Sequence, residues 1–158
     1  MIRVGIGYDV HRLVSDRPLI LGGVQIPFHK GLDGHSDADV VIHAMSDALL
    51  GSLALGDIGY YFPDTEPKNK NLDSFVILKR VLQIVSDEGY FPYNFDVVIH
   101  AQKPRISPFV QEMRKHLSEG LLIDISFVSV KATTTEGLGF IGREEGIAAH
   151  AICSVVKR

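Results

Sequence analysis

The chain has 158 residues, 46% of them hydrophobic and 22% charged, with a net charge of −3. That length suits one domain with one core, expected to span residues 1–158. No dense Lys/Arg cluster leaves a footprint for nucleic acid, and no apolar run reaches the roughly 20 residues of a membrane span.

In chain order, Met1-Ile2-Arg3-Val4-Gly5 passes straight into strand-like sequence with no signal-peptide core, and residues 2–8 are predicted as a strand. Residues 19–21 and 24–26 flank Gly22-Gly23, a two-residue hairpin signal. Residues 38–54 read as a helix. Residues 73–88 read as a second, with Phe75, Leu78, Val81, Leu82 and Val85 at the spacing of one apolar face and Gly89 as its stop. Residues 95–101 form a strand, Ser107 can cap a third helix with Pro108 in its first turn, and residues 127–132 form the next strand. Strand, helix, strand over 95–132 suggests a crossover unit, while the early hairpin argues against a purely parallel sheet. The expected fold is therefore an α/β (α+β type) two-layer sandwich, a mixed β-sheet covered on one side by helices. The last strand, 147–156, is apolar at nearly every position, so both its faces look buried and a second subunit could cover one of them. It carries Cys153, the only cysteine, so no intrachain disulfide can form; a cytoplasmic location is expected.

Histidines and carboxylates gather early in the chain. Asp9 and His11 are two apart, so in an extended strand both point to one face and reach one ion. On the first helix Asp39, His43 and Asp47 fall at i, i+4 and i+8 as a polar stripe, nearly opposite Val41 and Met45. Two imidazoles and one carboxylate suit zinc and leave one tetrahedral position open, as catalytic sites require. Asp47 could orient an imidazole from behind. A polar strand end and a solvated helix face are the plainer alternatives, and an Asp-x-His pair alone does not decide between them.

A second constellation is Lys131-Ala132-Thr133-Thr134-Thr135-Glu136-Gly137-Leu138-Gly139-Phe140, which follows a strand. Its hydroxyls and backbone N–H groups can hold phosphate oxygens, and Glu136 can carry a divalent ion. Thr133 with Glu136 equally fits a capping box that opens a short helix. Arg143 is a candidate anion clamp or an ion-pair partner of a nearby glutamate. The segment from Gly56 to Asp64 can bind a small polyol or simply pack, and the one from Ala101 to Ile106 can meet a base and a phosphate or merely turn the chain.

The segments GYDVHRL, ILGGVQIP, KGLDGHSDADVVIHAMSDALLG, LGDIGYYFPDT and VKATTTEGLGFIGREEGIA, in this order across essentially the whole chain, resemble the 2-C-methyl-D-erythritol 2,4-cyclodiphosphate synthases. The resemblance implies a homotrimer with active sites at subunit interfaces. It implies zinc on Asp9, His11 and His43, and magnesium or manganese on Glu136. His35 and Thr134 become the catalytic stabilisers, with Val10 and Ser36 beside the substrate. Asp57, Ile58 and Gly59, with Phe62, Pro63, Asp64, Thr65 and Glu66, fall to the methylerythritol phosphate part. Ala101, Gln102, Lys103, Pro104, Arg105, Ile106 and Ser107, with Thr133 and Thr135, fall to the cytidine diphosphate part, and Phe140 and Arg143 complete the set. An isoprenoid diphosphate in a cavity on the threefold axis is also implied. The chain departs from a well-known member at Arg105, in place of lysine, and at His150, in place of an acidic residue near that cavity. The length leaves no room for the cytidylyltransferase domain fused to some members. A metal-dependent phosphohydrolase and a non-catalytic isoprenoid-diphosphate-binding oligomer are the rival readings.

Overall fold

The first strand outruns its apolar stretch. In the computed structural model, which describes residues 1–157, β1 covers Ile2–Ser15, so Asp9 and His11 lie inside a strand. Strands β2 (Leu19–Leu21) and β3 (Val24–Ile26) form the expected hairpin. Gly22 and Gly23 both take positive φ, 57° and 76°, the left-handed conformation that a tight primed turn demands. After β4 (Lys30–Leu32) come helices α1 (Val40–Ser52), α2 (Ile58–Tyr61) and α3 (Ser74–Asp87), then β5 (Tyr90–His100), α4 (Val110–Leu121), β6 (Val128–Thr133), α5 (Gly139–Gly142) and β7 (Gly146–Lys157).

Five strands form one mixed sheet in the order β4-β1-β7-β5-β6. β5 and β6 are parallel, joined through α4 as the crossover pattern predicts, and the other neighbours are antiparallel. Helices pack on the inner face, where Phe95, Val97 and Ile99 of β5 meet Ala149, Ala151 and Cys153 of β7, all buried. No helix among the described residues is long and apolar enough to cross a membrane.

Helix α1 sits unusually close to the sheet, and two glycines explain why. A Cβ on Gly5 would lie 1.9 Å from the Ala48 carbonyl oxygen, and one on Gly7 would lie 1.9 Å from that of Ala44. Any side chain there would push the helix away, so glycine lets backbone rest on backbone. Asp39 caps α1, its carboxylate accepting from the N–H groups of Val41 at 3.2 Å and Ile42 at 3.3 Å. The same carboxylate accepts from Gly22 at 2.9 Å and Gly23 at 2.7 Å, tying the hairpin to the helix start.

Two local expectations change, and one face of the last strand is left open. Ser107 does not cap a helix; a 3-10 turn over Ser107–Phe109 leads into α4, and the Ser107 hydroxyl accepts from Arg105 Nε at 3.1 Å. Thr133 and Glu136 form no capping box, since Glu136 is in the left-handed conformation at φ 55° and the next helix is α5. The last strand is buried along its inner face and, on its outer face, only at Gly146 and Ala148. Its outer residues His150 and Ile152 lie beside Tyr8 and Ile6 of β1, and within this single chain that face is open, Ile6 being 66% and Ile152 50% exposed.

Candidate metal and phosphate site

Along β1 the inward positions read Gly5, Gly7, Asp9, His11 and Leu13, because side chains alternate across a strand. The glycines bring α1 down, and the next inward residues meet His43 from its first turn. His11 Nε2 lies 2.8 Å from Asp9 Oδ2, and His43 Nδ1 lies 3.1 Å from the same oxygen. The two imidazole nitrogens are 3.2 Å apart. Three ligand atoms thus form a nearly equilateral triangle, all within 4.8 Å of one another.

Electrostatics match that convergence. Burial alone would raise the Asp9 carboxyl, but hydrogen bonds from His11 and His43, and their charges, outweigh it and hold Asp9 at about 2. Burial would lower His11, yet the Asp9 hydrogen bond and charge, helped by the Asp33 carbonyl, leave it raised above its ordinary value. His11 Nδ1 donates to that carbonyl at 2.9 Å, turning Nε2 toward Asp9.

Whether a divalent ion fits can be tested on the triangle. Bonds of about 2.0–2.1 Å at tetrahedral angles separate ligand atoms by about 3.3 Å. The observed edges of 2.8, 3.1 and 3.2 Å need only a small outward relaxation. One carboxylate oxygen and two imidazole nitrogens are also the right donors for zinc, so the residues fit.

The polar stripe expected on α1 separates into three tasks. Asp39 is wholly buried as cap, His43 is buried in the triangle, and Asp47 accepts from the Ile58 N–H at 2.8 Å. Asp47 therefore orients no imidazole; it anchors α2, the start of the segment 57–66, beside the triangle. Burial raises the Asp47 carboxyl, the Ile58 N–H opposing it. Asp57 caps α2 through the Tyr60 N–H at 3.1 Å. Behind His43 stand residues that sequence reasoning gave no place at the metal: Ser36 Oγ at 3.1 Å and Ser74 Oγ at 3.0 Å from Nε2, with Ser74 bonded in turn to Asp37. Their only signal was Ser36-Asp37 standing next to His35 and Ser74 opening α3. Arg17 was missed as well; its guanidinium donates to the carbonyls of Gly34 at 3.1 Å and Ser36 at 3.0 Å. It clamps the turn on which His35 stands exposed.

Two clefts receive some of the remaining residues. One, of about 320 Å³, joins Val10 and His11 to Phe140 and Glu145. The other, of about 270 Å³, is lined by residues 101–107 and 132–134, so the segment after β5 and the threonine segment do come together, across the parallel β5–β6 pair. Gly137 N–H donates to Gln102 Oε1 at 3.2 Å and joins these loops. Thr134 Oγ1 accepts from the Glu136 N–H at 3.2 Å, and Glu136 itself is exposed. Arg143 is paired with Glu145, Nη2 to Oε2 being 2.9 Å. Among the described residues none lines both clefts. Thr133 on β6 is three strands from β1, about 14 Å at the usual strand spacing.

The YgbB family model matches residues 2–156. A 2-C-methyl-D-erythritol 2,4-cyclodiphosphate synthase of Salinibacter ruber is 56% identical over 154 residues, covering 98% of each chain. Among solved structures, the bifunctional IspDF of Campylobacter jejuni is similar with a TM-score of 0.96 and 43% identity; the match covers all of this chain and 43% of that one. A 2C-methyl-D-erythritol-2,4-cyclodiphosphate synthase in a CDP-bound form has a TM-score of 0.90 at 33% identity, over 98% of this chain and 100% of its own.

Proposed function

The chain belongs to the YgbB family, and from that premise we infer how its residues work. It converts 4-diphosphocytidyl-2-C-methyl-D-erythritol 2-phosphate to 2-C-methyl-D-erythritol 2,4-cyclodiphosphate with release of CMP, in the non-mevalonate route to isoprenoids. The class is a phosphorus–oxygen lyase working in the cytoplasm, with residues 1–158 as one synthase domain.

The reaction needs no protein nucleophile. The substrate's own 2-phosphate attacks the β-phosphorus, a new P–O bond forms, and the bond to CMP breaks. Both the attacking and departing groups are phosphates, so the protein must align them and offset their repulsion. Asp9, His11 and His43 hold zinc, and Glu136 with the diphosphate holds magnesium or manganese. When bound, these ions supply positive charge that draws the phosphates together and polarises the β-phosphoryl oxygens. His35 and Thr134 stabilise the transition state as donors to phosphoryl oxygens, and Ser36 lies beside His35. Asp57, Ile58, Gly59 and the segment from Phe62 to Glu66 position the methylerythritol end; Asp47 supports this by fixing Ile58 next to the triangle. The cleft of residues 101–107 with Thr133 and Thr135 takes the cytidine diphosphate end, where Arg105 keeps a positive charge. Phe140 and Arg143 complete the binding set. Water must be kept out, since hydrolysis competes with ring closure.

One substrate has to touch both the triangle and the cytidine cleft. The separation of roughly 14 Å across the sheet supports a cleft supplied by an adjacent subunit of a homotrimer. The open apolar outer face, with Val4 64% exposed, supports the same assembly. A cavity on its axis would take an isoprenoid diphosphate, with His150 facing it.

The observation that carries this reading is the ligand triangle of Asp9, His11 and His43 in a chain similar to the synthases over nearly its whole length. The test is incubation of the protein with the cytidyl substrate and a divalent ion, followed by phosphorus NMR. A cyclic diphosphate with CMP is expected. Linear phosphates would instead establish a hydrolase, and unchanged substrate a binding protein.

A further inference from the structure

We propose that Asp37 and Ser74 form a relay that sets the tautomer of His43, making Nδ1 the atom offered to the metal. The inference rests on the reading of Asp9, His11 and His43 as metal ligands. His43 Nδ1 faces Asp9 and His11, while Nε2 faces inward to two hydroxyls, Ser36 Oγ at 3.1 Å and Ser74 Oγ at 3.0 Å. A hydroxyl can donate or accept, so a serine by itself fixes nothing. Ser74 is different because its one proton is already committed. Its Oγ donates to Asp37 Oδ1, an acceptor-only group when ionised. Toward His43, Ser74 can then only accept, and Nε2 must carry the hydrogen. The lone pair is left on Nδ1, to be offered with Asp9 Oδ2 to a cation between them; with no cation there, Asp9 at 3.1 Å favours a hydrogen on Nδ1 instead, so Asp9 and the relay compete for the neutral ring.

The opposite arrangement is unfavourable on the same geometry. If Ser74 donated to Nε2, its oxygen and Asp37 Oδ1 would face each other with no proton between them, in a place where Ser74 is fully buried. Ser36 is free to follow, since its Oγ receives the Ala38 N–H at 3.0 Å and leaves its own proton uncommitted. Asp37 is itself held by the N–H groups of Asp39 at 3.1 Å and Ser74 at 3.2 Å. It thus links the start of α3 to the metal-bearing turn of α1. Asp37 and Ser74 are positioning residues: they act through His43 and touch neither the ion nor the substrate.

The test reads the histidine directly by long-range proton–nitrogen NMR of the imidazoles in metal-free, nitrogen-15-labelled Asp9→Ala protein, which lacks the carboxylate that competes for hydrogen on Nδ1, and in that background with each relay substitution added; zinc affinity is measured with Asp9 intact. His43 is expected as the Nε2–H form. Ser74→Ala should mix the two forms, and Asp37→Asn should move the population to Nδ1–H, because its amide can donate to Ser74 and turn that hydroxyl toward Nε2. Zinc affinity, measured by chelator competition, should fall about 10- to 100-fold in each, with the circular dichroism of the native fold retained. If Ser74→Ala does not fold, Asp37→Asn makes the same comparison. A His43 that keeps the Nε2–H form and wild-type zinc affinity in both variants, while His43→Ala loses zinc, overturns the relay and leaves the metal site standing. A wild-type protein that binds no zinc overturns the metal site instead, and the tautomer spectrum still decides the relay.

Discussion

Gly7→Ala tests the link between backbone packing and the ligand triangle. The added Cβ would lie 1.9 Å from Ala44 O and 2.8 Å from Ala48 N. An ordinary carbon–oxygen contact is about 3.3 Å, so α1 must retreat by about 1.4 Å. His43 immediately precedes Ala44 and would travel with it. Its Nδ1, now 3.1 Å from Asp9 Oδ2, would then sit about 4.5 Å away, whereas metal–ligand distances tolerate only about 0.2 Å. Overpacking of this kind costs about 1–3 kcal/mol, a fall in melting temperature of roughly 2–12 °C for a chain of this size. A reacting group displaced by about 1 Å loses on the order of 100-fold in turnover. Melting of the metal-free protein, zinc stoichiometry and CMP release measure the three effects. Gly51→Ala is the matched control: its Cβ would meet only Ile6 O at an ordinary 3.6 Å, so it should gain about 0.5–1 kcal/mol in helix propensity and leave zinc and turnover intact. A Gly7→Ala protein with wild-type melting and full zinc content would refute the argument that glycine positions His43.

His43→Ala should abolish stoichiometric zinc and cyclisation, as read by metal analysis and phosphorus NMR. Glu136→Ala should flatten the response of turnover to added magnesium or manganese while zinc content stays unchanged. Asp39→Ala strands four backbone donors and removes a helix cap, so urea unfolding should show a loss of about 3 kcal/mol. Asp9 has a folded pKa of about 2 against an ordinary 3.8, so the folded state holds its proton less tightly than the unfolded chain does. Its stabilising contribution, about 2 kcal/mol, is therefore complete above pH ~4 and lost as pH falls toward 2. The stability advantage of the metal-free wild type over Asp9→Asn in urea should shrink over that window.

The hairpin, the crossover from β5 to β6 and the mixed sheet were legible because turn glycines and apolar spacing act locally. The meeting of Asp9 with His11 was legible for the same reason, through the strand's two-residue period. The length of β1 was not, because its inward positions change from glycine to the polar side chains of Asp9 and His11, and Arg12 ends the apolar outward positions. Nor were the tasks of Asp39 and Asp47. An amphipathic reading assumes one wet face, but α1 is buried on nearly all sides, and each carboxylate serves a separate backbone segment. Ser74 was out of reach because its role depends on the docking of α3 against α1, a contact between residues 31 positions apart.

The double engagement of Asp39 bears on how this region comes apart. A ribbon of two three-residue strands is too short to persist alone in water. Here its turn amides and the first amides of α1 share one carboxylate, so neither can fray without exposing the other's donors. Hairpin and helix start therefore open as one cooperative unit. The amides of Gly22, Gly23, Val41 and Ile42 are therefore expected to exchange with solvent as one class, although the two glycines lie 18 or more residues before Val41 in the chain.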